Sequence, residues 1–349
     1  MSDLALHLGQ EIGRGSFPGA GALIGSGEAV LEAAVAGHAA LEPVEEEVGE
    51  ETLFDLASLT KPLAAAELSR LAVSSGLSLE WPPGRFLPEW KRTRYDGITL
   101  AMLLTHTSGL PAWFPLYARG EGAQAYRRTL GEIEPAGSPG GAVIYSDVGF
   151  LVLGEVLEAF FSAPLERSFR DLVAQPAGSG AHFLPDRGRA AAATEKGDRF
   201  ERRMTLALGL SYGGFREGVV RGEVHDGNAL RRAGVAAHAG LFGTARDVWR
   251  LARTWLLGGG SGFLEDRTPD FPEARTLGWQ GSRGAASAVP AFSGRAFGHT
   301  GFTGTSLWVD PERDRIFVLL TNRIHPEVAD VDFQEVRRRF HERAIEISQ

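Results

Sequence analysis

The apolar, β-prone segments of this chain lie at its two ends, and that separation restricts its fold more than any other feature. Residues 19–37, GAGALIGSGEAVLEAAVAG, read as two strands around a Gly-Ser-Gly turn. Near the far end, GHTGFTGTSLWVD, PERD and RIFVLLTN read as strand, turn and strand. Isolated hairpins are marginal in water, so the two ends are expected to pair into one antiparallel sheet. The chain between them reads mostly as helix: about 58–75 up to Gly76, then TLAMLLTHTSGL, 147–161 and 245–259. A terminal helix over 3–14 sets Leu4, Leu8 and Ile12 on one face, and VDFQEVRRRFHERAIEIS closes the chain. The RRRF run at 337–340 reads as a solvated face of that last helix. The expected fold class is α+β, one domain over 1–349. Its α/β lobe takes about 1–60 and 240–349 and its helical lobe about 61–239, with a loop-rich stretch over 175–235.

Composition removes several function classes. A formal net charge of −8 leaves no basic footprint for nucleic acid. With no cysteine, there is neither a disulfide framework nor a thiolate nucleophile nor a Cys-based zinc site. No run of 18 uncharged apolar residues is present, so no membrane-spanning helix is expected. The opening residues MSDLALHLGQEIGRG have neither a basic n-region nor a long apolar h-region, and the expected location is cytoplasmic. The nine histidines contain no His-Glu-x-x-His; His225, Asp226 and His238 form only a loose cluster, and neither a metal nor a cofactor is expected. His106, at a helix end in LTHTSGL, reads as a satisfied structural histidine.

The chemistry starts from a scarce residue. Lysine occurs at three positions, Lys61, Lys91 and Lys196, and Lys61 follows Ser58 by three in LFDLASLTKPLAA. On a helix, residues i and i+3 share a face. Pro62 supports a helix start here, because the first turn has no use for its missing N–H. Backbone N–H groups at such a start favour developing negative charge beside a serine Oγ. A buried lysine one turn on can lose its charge and act as a base. The same residues also suit a plain helix start with a solvated lysine.

Two later segments bear on the choice. In AVIYSDVGF, Tyr145 ends an apolar run and Asp147 follows by two. A phenol near a lysine can carry a proton between a serine and a leaving group; a core tyrosine beside an Asp N-cap fits the same letters. In FGHTGFTGTSLWVD, Gly298, Gly301 and Gly304 interrupt a β-prone run. Glycines in a strand mark close approach of a ligand or another backbone, and an exposed strand N–H there can serve as an oxyanion donor.

Together SLTK (58–61), YSD (145–147) and HTG (299–301) resemble, in chain order, the Ser-x-x-Lys, Tyr-x-Asn and Lys/His-Thr-Gly elements of the serine β-lactamase and penicillin-binding-protein superfamily. LLTHTSGLP (103–111) is similar to another string of that family. The likeness spans nearly the whole chain and points to the class C-related branch of β-lactamases, D-Ala carboxypeptidases and esterases. It implies a β-lactamase/transpeptidase-like fold, with a five-stranded antiparallel sheet flanked by helices, a helical lobe, and the site between them. It implies Ser58 as acylated nucleophile and Lys61 with Tyr145 as the activating pair. His299, Thr300 and Gly301 would line the site, and the N–H groups of Ser58 and Phe302 would form the oxyanion hole.

Two letters depart from the pattern. Asp147 stands where asparagine is common, and a carboxylate cannot donate to a substrate carbonyl. It then holds substrate differently or pairs with Lys61. His299 stands where β-lactamases usually carry lysine, replacing a fixed cation by a group that can be neutral at pH 7. GEVHDGNALRRAGVAAHAGLFGTARDVWRLA (222–252) is similar to a string from a branch with muropeptide amidases and carboxypeptidases. By that analogy His225, Asp226, Asn228 and His238 border the substrate; otherwise they stabilise a Gly-rich loop. The expected function is a serine hydrolase forming an acyl-enzyme on a small-molecule or peptide amide or ester, with cell-wall-derived muropeptides as a substrate class. The other reading is a non-catalytic penicillin- or peptide-binding or scaffold protein that kept the fold.

Overall fold

The computed structural model describes residues 2–90, 95, 97–120, 122–184, 191–260 and 262–349. Lys91 and residues 185–190 of the loop-rich stretch lie outside the described residues. The strands are β1 (Gly19–Gly25), β2 (Val30–Ala40), β3 (Glu46–Glu47), β4 (Phe54–Asp55), β5 (His182–Phe183), β6 (Leu241–Gly243), β7 (Gln280–Gly281), β8 (Phe297–Thr300), β9 (Ser306–Asp310) and β10 (Arg315–Thr321). Helices α1 (Asp3–Gly13), α2 (Glu67–Ser74), α3 (Asp147–Phe161), α4 (Ala245–Thr254) and α5 (Phe333–Ile347) surround them.

The two ends of the chain do pair. β1 runs antiparallel to β10, with Ala20 opposite Thr321 and Ile24 opposite Phe317. The full order is β3-β2-β1-β10-β9-β8-β7, seven strands where five were expected. The expected five are the central ones. The extra two, β3 and β7, are two-residue ribbons at opposite edges, and such short, polar edges limit strand addition by another chain. A second correction concerns GHTGFTGTSLWVD. It is a hairpin and not one strand: β8 and β9 pair antiparallel, with His299 opposite Leu307, around a turn at residues 301–305.

Period-2 alternation explains why both faces of the sheet are covered. Ala20, Ala22 and Ile24 of β1 and Phe317 and Leu319 of β10 face a core shared with Leu4 and Leu8 of α1 and Val336 and Phe340 of α5. The alternate residues Leu23, Ile316, Val318 and Leu320 face a larger core with Val248 and Leu251 of α4, which continues into α2 and α3. A strand buried on both sides must read as a continuous apolar run, as GALIG and IFVLL do. The RRRF run is corrected here: Arg337 is 4% exposed, while Arg338 and Arg339 remain on the outer side of α5, about one-third exposed.

Burial on this face carries a pH dependence. His341 of α5 is fully buried, its Nε2 2.8 Å from Ser306 Oγ. Burial, aided by Arg337, pushes it from 6.5 down to about 3. The unfolded chain therefore binds a proton at this ring before the folded chain does, and stability falls as pH drops below 6.5. At 1.36 kcal/mol per pH unit, this one histidine costs about 2 kcal/mol by pH 5. A His341→Gln variant, which keeps a partner for Ser306, is expected to lose about 2 kcal/mol less than wild type between pH 7.5 and pH 5.0. Urea unfolding at the two pH values measures this; equal losses would contradict it.

Candidate active site

The turn that carries Ser58 is built from three windings in place of the expected single helix. A 3₁₀ turn covers Ala57–Leu59, a widened π-type turn covers Lys61–Ala66, and regular α2 follows. Pro62 has no N–H to donate back to Ser58, which disfavours ordinary α winding at that point. In 3₁₀ geometry, residues i and i+3 eclipse, and this sets Lys61 directly against Ser58. Ala57, the residue before Ser58, has φ +46°, a left-handed conformation that a non-glycine residue holds only under outside constraint.

That constraint is visible. The buried Asp55 carboxylate accepts from Ala57 N–H at 2.9 Å and from His225 N–H at 2.8 Å. Leu56 N–H donates to Leu241 O at 2.9 Å. Thr303 Oγ1 donates to Asp55 O at 2.7 Å and Thr305 Oγ1 to Leu56 O at 3.1 Å. The turn is thus clamped between β6 and the β8–β9 hairpin. Gly301 allows that approach: a Cβ there would lie 2.1 Å from Thr305 Oγ1, 2.8 Å from Leu56 O and 3.2 Å from Ala57 Cβ. Gly301→Ala is expected to push the hairpin off the nucleophile turn and lower turnover about 100-fold, the scale of losing one oxyanion donor. Steady-state kinetics on a folded variant checks this; near wild-type turnover would contradict it.

At the centre, Lys61 Nζ lies 2.9 Å from Ser58 Oγ, 2.6 Å from Asp147 Oδ1 and 3.3 Å from His238 O. Lys61 is completely buried. Its Nζ sits 4.8 Å from the centroid of the Tyr145 ring. Burial alone pushes the lysine down, but the Asp147 carboxylate and Tyr145 more than offset it, and the net direction is up. Tyr145 is also raised: burial outweighs the pull of Lys61, and Asp147 adds to the rise. Both directions favour an ammonium at Lys61 and a neutral phenol at Tyr145.

Asp147 is free for this pairing because Ser146 caps α3, its Oγ accepting from Gly149 N–H at 2.9 Å. His106 holds the same segment: its Nδ1 accepts from Ser146 N–H at 2.9 Å, and its ring lies 4.5 Å from that of Tyr145. Its structural reading stands, with Tyr145 as what it supports.

Ser58, Tyr145, Asp147, Thr300, Gly301 and Phe302 line one cavity of about 380 Å³ together with His225, Asp226 and His238, and the His225 ring stacks on that of Phe302. Among the described residues, neither the Ser58 nor the Phe302 N–H has a backbone acceptor among the turns, loops and caps. Two expected neighbours of the substrate stand elsewhere. Asn228 is buried away from the cavity, bonded to Leu116 N–H and Phe114 O at 2.9 Å each, because its amide braces that loop. His299 lies behind Tyr145 in an adjoining hollow, donating from Nδ1 to Thr300 O at 2.8 Å. Burial, with Lys61 and Arg275 nearby, pushes His299 well below 6.5, so it is neutral at pH 7 and supplies no cation.

Two arginines that the sequence did not flag border the cavity. Arg337 and Arg323 both line the cavity. Arg337 donates to Gly301 O at 2.6 Å, and Arg323 Nε to Phe302 O at 2.9 Å. Among the described residues neither has a carboxylate partner. Burial and Arg323 push Arg337 down to about 9, still a cation at neutral pH. Among the other lining residues, His238 Nε2 pairs with Asp226 at 2.8 Å and His225 Nε2 with Glu195 at 3.0 Å. Glu201, also unflagged, accepts from Tyr117 Oη at 2.7 Å, and burial beside Asp226 raises it to about 7. An unpaired buried cation cannot be read from a charge pattern, because that pattern fixes neither rotamer nor depth.

A family model described as Beta-lactamase matches residues 5–339. A protein of Escherichia coli strain K12 described as "Putative D-alanyl-D-alanine carboxypeptidase" is 31% identical over 333 residues, covering 83% of this chain and 73% of its own. A Salmonella agona protein with the same description is 32% identical over 320 residues, covering 80% and 71%. Among solved structures, EstCE1, titled a hydrolase with promiscuous acyltransferase activity, superposes with TM-score 0.75 at 20% identity, covering 99% of this chain and 97% of its own. A penicillin-binding-protein homologue from Caulobacter crescentus gives TM-score 0.74 at 18% identity, covering 99% and 97%. At these identities the structural matches show the fold alone.

Proposed function

The chain belongs to the β-lactamase family, within the serine β-lactamase and penicillin-binding-protein superfamily, and we propose that Ser58 is its acylated nucleophile and D-alanyl peptides of cell-wall type its substrates. Members of this family are serine hydrolases acting on amides or esters. The observation that carries the finer reading is the pair of cavity arginines, Arg323 and Arg337, without carboxylate partners. A buried cation lacking a counter-charge is costly, and a substrate with a free terminal carboxylate supplies one. The curated relatives point the same way.

In this reading the scissile carbonyl oxygen sits between the N–H groups of Ser58 and Phe302. Ser58 Oγ attacks, the amine leaves with a proton, and water repeats the sequence to free the enzyme. Arg337 and Arg323 hold the carbonyls of Gly301 and Phe302, so substrate binding and the oxyanion hole share one support. The test compares an N-acyl-D-alanyl-D-alanine peptide with its C-terminal amide. D-alanine release from the first, at least 10-fold faster than attack on the second, is expected. Hydrolysis of a short p-nitrophenyl ester without any D-alanine release would replace this reading by an esterase one.

A further inference from the structure

Behind Tyr145 lies a hollow of about 290 Å³ that the proposed reaction leaves unused. Three residues line both this hollow and the cavity of Ser58: Tyr145, Thr300 and Gln334. Tyr145 hydrogen-bonds Ser58 and Lys61. Gln334 Oε1 accepts from Arg337 Nη1 at 3.2 Å. A peptide with its scissile nitrogen beside Ser58 and its terminal carboxylate at Arg337 sets its last residue among these three. The side chain of that residue then starts where the hollow opens.

The lining has a definite polarity. Among the described residues, Arg275 and Glu273 are the charged side chains in it, and they pair at 2.5 Å. Gln280 donates to the same Glu273 oxygen. The hollow thus carries no net charge. Two of its side chains, each more than nine-tenths buried, keep one atom without a partner: His299 Nε2 and Arg275 Nε. His299 Nδ1 stands 2.8 Å from Thr300 O, and a carbonyl only accepts, so Nδ1 holds the ring proton. Nε2 of the neutral ring is then an acceptor, while Arg275 Nε–H is a donor. Buried polar atoms left unpaired are costly. A bound group that donates to the first and accepts from the second removes that cost.

From this arrangement we propose that the hollow receives the side chain of the released residue, and that this side chain is uncharged and both donates and accepts hydrogen bonds, as a carboxamide or a hydroxyl does. An alanine methyl leaves the hollow unfilled and both atoms unpaired. A carboxylate side chain cannot donate to His299 Nε2, and it competes with Glu273 for Arg275. An ammonium cannot accept from Arg275. The inference adds a side-chain preference to the terminal-carboxylate reading and rests on it.

The test uses N-acetyl-D-alanyl peptides ending in D-alanine, D-glutamine, D-serine, D-methionine or D-glutamate, all with a free carboxylate, and compares kcat/KM for release of the last residue. D-glutamine or D-serine is expected to leave at least about 10-fold faster than the other three, the scale of two net hydrogen bonds. Glutamine in front marks the carboxamide, and serine the hydroxyl. In His299→Leu, which removes the acceptor, the same preference is expected to shrink to within about 3-fold as one bond is lost and the other loosened. Because each ratio is taken within one preparation, a loss of folded protein cancels. D-alanine, D-methionine or D-glutamate leaving as fast as both polar residues overturns the proposal, and so does a preference that survives His299→Leu. Release of none of the five overturns the terminal-carboxylate reading itself, and the proposal with it.

Discussion

Ser58→Ala is expected to lower hydrolysis of any substrate of this enzyme by about 10⁴-fold or more, because it removes the oxygen that forms the acyl bond in the proposed reaction. Ser58 Oγ is 2.9 Å from Lys61 Nζ and opens on the cavity that Phe302 and Gly301 border. The substitution deletes one partly exposed oxygen and leaves the clamp by Asp55, Thr303 and Thr305 untouched. Stability should therefore change by less than about 1 kcal/mol, as for a substitution that breaks no buried network. Steady-state turnover and a urea melt on the same preparation check both parts. Residual activity within 10-fold of wild type would place the nucleophile elsewhere.

Lys61→Met is expected to lower turnover about 10³-fold, the scale of losing acid–base assistance. Methionine fills most of the volume of the lysine stem, which packs in a fully buried position. Asp147 loses its partner but faces the cavity and can be hydrated there. The stability cost is accordingly expected near 1–2 kcal/mol, below the 3–5 kcal/mol of stranding a fully buried charge. A variant retaining more than a tenth of wild-type turnover would remove Lys61 from the proton path. A variant that is inactive only because it is unfolded would show it in the melt.

The parts of this fold that could be read in advance are those with a repeating physical signature. The runs GALIG and IFVLL are apolar without alternation because their sheet is covered on both sides, and they announced the paired ends of the chain. The helix over 147–161 was legible to its ends, because an apolar stretch follows a serine and an aspartate. The two-residue edge strands were not, since two residues carry no period. The β8–β9 hairpin was not legible, since glycines in a β-prone run mark an interruption of one strand as readily as a turn, and Gly301 makes both the turn and the close approach to Leu56.

At the candidate site, SLTK, YSD and HTG meet at one cavity, but the distances changed what the residues can do. Asp147 has a lysine for a partner at 2.6 Å. His299 sits behind Tyr145, and Asn228 braces the 114–116 loop. Asp55 and Arg337 were invisible in the letters. One is a carboxylate satisfied by two backbone N–H groups from distant loops. The other is a member of an arginine run whose side chains part to opposite sides of α5. Both depend on tertiary contacts that a local pattern does not encode.

The measurement that bears most directly on the serine chemistry is the intact mass of the protein after brief exposure to a fluorophosphonate, followed by peptide mapping. One adduct per chain, on the peptide that holds Ser58, is the predicted result. No adduct, or an adduct on any other peptide, would contradict it.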